Sequence, residues 1–298
     1  MANAIELITK QLPLLDQAVK LGMRTSCLET NSAFVRETAD ANIVKIANLA
    51  MDGLADYSRA DGFVKGDLTL TWQSYQLKHD RGRTFHLDAM DDEESMGLVF
   101  ANTASEFIRT KVTPEIDAIR FAQYATKAGT TVTGTLDSTT IVDAIETAET
   151  TIEEAEFTLD TAKLFITPSH YGNIKKDKEH WTRTLVPSQN PNRNFGTFDE
   201  MEVIKVPQSR FYTAITLNDG KTSGQEAGGY AKAASGKNIN FMIIVPSVVA
   251  QVTKHAKLRV FSPDVNQQAD AYKIDYRIYH DAWVAENKKK GIYCHTVA

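Results

Sequence analysis

Hydrophobic positions along this chain fall into two periods, and the switches between them divide it into parts. Ile43, Ile46, Ala47, Ala50 and Leu54 recur at helical spacing between Asn42 and Leu54, so the first fifty residues read as helical pieces joined by polar turns. After Asp61-Gly62 and Lys65-Gly66 the period becomes two. Leu68, Leu70 and Trp72 alternate with Thr69, Thr71 and Gln73, as along a strand. A second extended stretch runs from Leu77 to Leu87, with Asp80-Arg81-Gly82-Arg83 reading as a turn within it. The region is too polar and thin to own a core, so it predicts a β-rich excursion that needs a partner surface.

The helical period then returns. Asp91, Asp92, Glu93 and Glu94 suit the positive end of a helix dipole, and Met96, Val99, Phe100, Ala104, Phe107, Ile108 and Val112 recur at three and four residues. Pro114 is expected to kink or restart this helix, with Thr113 as its cap and Pro114 in first position. Ile116, Ile119 and Tyr124 continue a face towards Lys127. Helix and continuation would span roughly 50 Å at ~1.5 Å per residue, a length suited to a structural spine.

Gly129 to Thr135 reads as a connector. Asp137 or Ser138 is placed to cap the next helix, whose inner face is Ile141, Ile145, Ala148, Ile152 and Ala155. Its outer face carries Asp143, Glu146, Glu149, Glu153 and Glu156. Such a row can hold metal in helical bundles, but those sites use Glu-x-x-His on partner helices, and the sequence has none; a solvated face is expected. Lys163 to Thr167 predicts a buried strand and Pro168-Ser169 a short helix. Trp181 to Phe198 reads as loop. Val203 to Val206 and Phe211 to Leu217 read as strands, and Asn218 to Lys237 as a long loop. Ile239 to Val245 predicts a buried central strand, and Pro246 a helix bearing Val248, Val249 and Val252. This alternation argues a mixed α/β unit. Tyr272 to Ala285, a turn at Asn287 to Gly291, and Ile292 to Thr296 read as a long terminal hairpin.

Composition narrows the functions available. The chain has 298 residues, 42% hydrophobic and 24% charged, enough for a sizeable core. Its 33 basic and 38 acidic residues leave a net charge of −5, so no footprint for tight phosphate binding exists, although weak contact with nearby nucleic acid is compatible. Cys27 and Cys294 cannot build a disulfide framework or a four-thiolate zinc site, and are expected to be reduced thiols in a cytosolic product. The N-terminus lacks a basic n-region and reads as a helical arm. Phe241 to Val245, the longest apolar run, falls short of the ~20 residues that span a bilayer.

Candidate chemistry fails at named positions. Gly220-Lys221-Thr222 resembles the end of a phosphate-binding loop, but Ile215 stands where that motif needs glycine, and Gly224, Gly228 and Gly229 follow in place of a helix. His86 and Asp88 share a strand face near His79 and Asp80, without a third ligand at recognisable spacing. His280 and Asp281 point to opposite strand faces. No nucleophile elbow, His-Glu-x-x-His or Cys-x-x-Cys is present. No cofactor or metal is expected.

The order of parts (arm, β excursion, long helix, α/β lobe with a loop, closing strands) resembles the major capsid proteins of tailed bacteriophages, the Hong Kong 97-type fold. Arg83-Thr84-Phe85-His86-Leu87-Asp88 leading into Asp91-Asp92-Glu93 is similar to that family's link from extended loop to spine helix. Thr113-Pro114-Glu115-Ile116-Asp117-Ala118, and Ala271 to Asp281 with Lys290-Gly291-Ile292-Tyr293, are similar to coats of phages and prophages of Gram-positive hosts. The resemblance implies an α+β capsid fold. Residues 1–55 would be the N-terminal arm and 56–90 an extended β loop. Residues 91–135 and 255–298 would make the peripheral domain with the spine helix. Residues 136–254 would make the axial domain, with the loop from 218 to 237 near a capsomer axis.

It further implies a structural role: self-assembly through hexamers and pentamers into an icosahedral head shell around phage double-stranded DNA, without catalysis and without a membrane. Portal, decoration and separate scaffolding proteins would be partners, since the arm is too short to be a removable scaffold. The shell would assemble in the host cytoplasm and reside in the virion. Trp72, Tyr75 and Phe85, with Arg81 and Arg83, are the candidate inter-subunit contacts, the two arginines pairing with carboxylates of a neighbour. The competing readings are another phage structural part (tube, decoration or adaptor) and a metal-dependent hydrolase using His79, His86 and Asp88.

Overall fold

A computed structural model describes residues 22–28, 36–37, 43–57, 59, 62–90, 104–176, 181–184, 195–199, 201–267 and 269–298. The acidic helix start expected at residues 91–94, and most of the expected arm, lie outside them.

The main core is a seven-stranded mixed sheet in the order β5-β15-β12-β6-β9-β8-β7. Its strands are β5 (Thr130–Thr133), β6 (Lys163–Ile166), β7 (Trp181–Thr184), β8 (Phe195–Phe198), β9 (Met201–Lys205), β12 (Ile239–Ile244) and β15 (Ile292–Thr296). β12 is buried along its whole length, with Asn240 its one polar residue and Phe241–Ile244 a continuous apolar run of the kind expected for an interior strand. Among the described residues, three α-helices accompany the sheet: α1 (Thr113–Thr126), α2 (Thr140–Glu153) and α3 (Pro168–Ile174). The α2 stripe of Ile141, Ile145, Ala148 and Ile152 is fully buried in the core beside Phe165, Phe241 and Ile243. Each such aliphatic side chain contributes about 1.5–3 kcal/mol of burial. Asp137 caps this helix as expected, its Oδ1 accepting the backbone N–H of Thr139 at 2.8 Å and of Thr140 at 2.9 Å.

A second sheet is antiparallel, in the order β13-β14-β4, with β4 (His79–Asp88), β13 (Val249–Phe261) and β14 (Ala271–Val284). A third, β1-β2-β3, pairs β2 (Ile43–Met51) with β3 (Leu68–Gln76) along their whole length, with β1 (Arg36–Glu37) beside β2. β10 (Ile215–Leu217) and β11 (Tyr230–Lys232) form a short hairpin.

Several expectations are corrected. Residues 43–51 form a strand, not a helix, because nine residue pairs with β3 override the helical apolar spacing of the run. The run Asp80-Arg81-Gly82-Arg83 is not a turn: β4 passes straight through it, and Gly82 is there because a Cβ would sit 2.8 Å from the Tyr276 carbonyl oxygen across the ladder. The 130–133 connector is a strand parallel to β15. The 181–198 loop contains the β7–β8 pair, and the 218–237 loop is cut short by β11. Pro246 opens one 3-10 turn before β13, in place of a helix. The closing strands are no hairpin, since β14 pairs with β13 and β4 while β15 pairs with β12 and β5.

Pro114 does not restart the helix. Residues 104–107 are helical, Ile108–Val112 form a π-helical turn, and α1 follows without a break. The Thr113 N–H donates to the Ile108 carbonyl, five residues back, and Thr113 is helical, not capping. The widened turn makes room for a ring that would otherwise press on the preceding carbonyls. α1 then ties the sheets together. Phe121 packs edge-on against Phe165 at 5.2 Å and Phe211 at 4.9 Å, while Ile116 meets Ile278 of β14.

Candidate functional site

The β2–β3 ribbon presents an apolar face that no element of the described chain covers. Met51 lies opposite Leu68 and Leu49 opposite Leu70, so these four share a face. They are 69%, 67%, 49% and 54% exposed, and Trp72 further along is 45% exposed. At the tip, Phe63 and Leu54 stand fully in solvent, and Tyr57 meets Phe63 at 4.8 Å. The ribbon closes through the Asp67 N–H donating to the Asp52 carboxylate at 2.8 Å. A continuous exposed apolar stripe of this kind marks an interaction surface.

The ribbon's root is fixed. Tyr75 packs on Trp283 at 5.6 Å, beside the buried Leu77. Asp281 of β14 is almost wholly buried, and its carboxylate accepts from the Lys78 N–H at 3.0 Å and from the Gln123 amide at 2.7 Å. One carboxylate thus joins the start of β4, α1 and β14. Burial disfavours the charged form of both neighbouring histidines. Burial lowers the His79 pKa despite Asp281 3.8 Å away, and burial with nearby Arg120 pulls His280 down to about 3. Strand alternation does send His280 and Asp281 to opposite faces, yet both are buried. The sequence signal for Asp281 was a carboxylate amid Ala282, Trp283 and Val284.

The two candidate arginines lie within β4, engaged with their own chain. Arg81 makes a two-point ion pair with Glu115 of α1, its Nε 2.6 Å from Oε1, and also donates to the carbonyls of Asn218 at 2.8 Å and Gly229 at 3.2 Å. Arg83 donates to the Glu226 carbonyl at 3.0 Å. Phe85 is half-buried and packs edge-on against Phe107 at 4.9 Å. Of the five candidates, Trp72 stands farthest out.

A buried charged cluster escaped the sequence reading. Asp117 of α1 is fully buried. Its carboxylate accepts from the backbone N–H of Arg24 at 3.0 Å and of Thr25 at 3.1 Å, from the Thr25 hydroxyl at 2.8 Å and from the Arg210 guanidinium at 3.0 Å. Arg120 adds a bond to the Thr25 hydroxyl at 3.0 Å, and Arg210 one to the Gly22 carbonyl at 3.1 Å. Residues 22–28 are thereby pinned to the spine. The available signal was charge at i and i+3 inside a stripe of Ile116, Ile119 and Phe121.

The imagined catalytic groups are not assembled. His86 and Asp88 are exposed, and His79 falls on the other face of β4 by alternation. Among the described residues, no three His, Cys, Asp or Glu side chains cluster as a metal site. Gly220-Lys221-Thr222 forms a turn around Asp219, which accepts both N–H groups of Lys221 and Thr222. Burial pushes the thiols of Cys27 and Cys294 up to about 11 and about 12, so neither is a poised nucleophile. On α2, Asp143, Glu146 and Glu153 are exposed as expected, whereas Glu149 is buried. No helix among the described residues is long and apolar enough to cross a membrane.

These features define an α+β fold with a closed core and an external apolar ribbon anchored at its root. No protein-family model and no curated protein matches the sequence. Solved structures do match its fold. The asymmetric unit of the bacteriophage PhiM1 mature capsid aligns with a TM-score of 0.67 at 10% identity, over 98% of this chain and 92% of that one. The capsid structure of cyanophage P-SCSP1u gives 0.65 at 12% identity, over 98% and 93%. A structure from Mycobacterium phage Che8 gives 0.64 at 13% identity, over 98% and 97%. The fold of this chain is similar to that of these phage capsid structures over 98% of its length.

Proposed function

We propose that this chain is the major capsid protein of a tailed bacteriophage, with a Hong Kong 97-type arrangement, and that copies assemble as hexamers and pentamers into the icosahedral head shell around double-stranded DNA. The observation that carries this reading is the uncovered apolar face of the β2–β3 ribbon, on a chain matching capsid structures over 98% of its length. The ribbon is a liability for one copy and a contact for many. Its role is therefore structural, and the weakly acidic charge suits a lining that touches DNA without gripping it. In this reading the extended excursion is residues 43–76, and the boundary expected at 55/56 falls at its tip. The proposed peripheral domain remains residues 91–135 and 255–298 and the axial domain 136–254, with β5 and β15 of the first pairing with each other and β15 with β12 of the second. Trp72 leads the inter-subunit contacts. Scaffolding, portal and decoration proteins complete the set of partners, and assembly takes place in the host cytoplasm.

Negative-stain microscopy of the purified chain tests this. Closed icosahedral shells, or hexamer and pentamer rings, are expected; stacked tubes would sink the reading.

A further inference from the structure

Residues 218–229 lie between β10 and β11, and the two ends of this loop, 218–220 and 227–229, line a groove of about 1030 Å³ whose other walls include β4 and α1. Phe85, Phe107 and Tyr276 line it together with Arg83 and Lys111. The loop is close to self-contained. Asp219 accepts the Lys221 and Thr222 N–H groups at 2.8 and 2.9 Å and the Thr222 hydroxyl at 2.6 Å. The Gln225 N–H donates to the Thr222 carbonyl, and the Gly228 N–H to the Gln225 carbonyl. Asn218 closes the neck, its N–H on the Gly229 carbonyl at 2.9 Å and its side-chain amide on the Gly228 carbonyl at 3.1 Å.

Among the described residues, the loop's hydrogen bonds to other elements come from two side chains of one strand. Arg81 reaches both ends of the neck, donating to the carbonyls of Asn218 and Gly229, while its other edge is held by Glu115 of the spine. Arg83 takes the Glu226 carbonyl near the far side. Gly220 (φ +73°) and Gly228 (φ +68°) adopt backbone that side chains disfavour. A Cβ at either would come within 3.1 or 3.3 Å of the Arg83 Nη1 atom, so the loop is also packed onto that guanidinium. The stem carrying the loop is only three residue pairs long.

We infer that residues 218–229 are a lid that moves as a unit on the β10–β11 stem, and that Arg81 and Arg83 are the latch holding it against the groove. The planar guanidinium fork is what allows Arg81 to bind two carbonyls and a carboxylate together; a lysine ammonium cannot reproduce that geometry. Because Glu115 holds the same guanidinium, the lid and the spine helix answer to one contact. A neighbouring molecule that drew Arg81 or Glu115 away would free the lid.

The test is a distance measurement on the unassembled full chain, so its outcome is independent of shell formation. Cysteines are placed at the exposed Lys111 and Lys221 (Lys111→Cys, Lys221→Cys) and spin-labelled at neutral pH, where the raised pKa of Cys27 and Cys294 disfavours their labelling. The parent is expected to show one narrow distance distribution. In Arg81→Ala/Arg83→Ala the distribution should broaden by at least about twofold and extend to longer distances, as for a released hinge element. Arg81→Lys should broaden it in the same direction. Amide exchange in the buried β12 reports whether the double variant is folded; if it is not, Arg81→Lys carries the test. An unchanged narrow distribution in the folded variant overturns the inference, and so does a broad distribution in the parent.

Discussion

Asp117→Asn removes the charge from the most enclosed carboxylate in the described chain while keeping its size. The native group accepts two backbone N–H groups, one hydroxyl and the Arg210 guanidinium, with Asp117 fully buried and the Arg210 side chain 2% exposed. The asparagine retains one acceptor oxygen and turns an NH2 group towards these donors. Breaking a buried pair in this way costs about 3–5 kcal/mol, a large share of a total of about 5–15 kcal/mol. At about 2–4 °C per kcal/mol for a chain of this size, the melting temperature should fall by roughly 6–20 °C. Urea unfolding of unassembled subunits measures it, with Asp143→Asn on the exposed face of α2 as the control, expected within about 0.5 kcal/mol of the parent. Replacing both Asp117 and Arg210 by apolar residues should not restore stability. Arg24 and Thr25 would still have backbone N–H groups without this acceptor. Amide exchange should rise first at residues 22–28. A loss under about 1 kcal/mol in Asp117→Asn would refute the claim that this carboxylate fastens residues 22–28 to the spine.

Two further outcomes are expected. His79, His170, His280 and His295 all have pKa values lowered first by burial, so the unfolded chain takes up their protons more readily. Their contribution to stability is complete above about pH 6.5 and is lost as pH falls towards the folded values. The slope approaches about 1.4 kcal/mol per pH unit for each group while it remains neutral in the fold. Urea midpoints between pH 7 and 4.5 measure this slope, and His280→Gln should flatten it; a flat parent profile would contradict the burial argument. On the ribbon, Leu70→Glu or Trp72→Glu should leave subunit stability within about 0.5 kcal/mol, because these side chains are 54% and 45% exposed. The same changes should abolish shells in sedimentation, and shells at parental yield would count against the ribbon as the contact.

Local pattern was enough where one element owned its environment. α2 shows its stripe because one face meets the core and the other meets water. β12 is apolar at every position but Asn240 because strands flank it on both sides. Pattern failed where a distant partner decided. Ile43–Met51 has its polar residues, Lys45 and Asn48, three apart as on a helix, and only the ladder with β3 makes it a strand. β14 and β15 look like two arms of a hairpin, yet the 3-10 turn at Glu286–Gly291 carries the chain from one sheet to another. The buried polar groups were hardest to see. Asp117, Arg120 and Asp281 look like ordinary surface charges until the helix around the first two proves buried on nearly every side. Their partners lie about ninety or more residues away in sequence, which no periodicity reports.

The sheet edges add an argument about where pairing is allowed. An edge strand is commonly guarded by charge, because open N–H and C=O groups recruit other strands. β13 carries Lys254, Lys257 and Arg259 on its course, and β4 carries Asp80, Arg81, Arg83 and Asp88. β3 is also an edge, and its sequence from Leu68 to Gln76 contains no charged residue. Threonines alternate there with apolar groups, and neither position type repels an incoming chain. Two edges of the second sheet are therefore protected, while among the described residues the ribbon has an unpaired edge at β3 beside an apolar face. A chain selected only to stay monomeric would guard that strand first. Among the described residues the opposite distribution holds at β3, an uncharged edge strand beside an apolar face that no described element covers, and that arrangement leaves the edge able to pair with another chain.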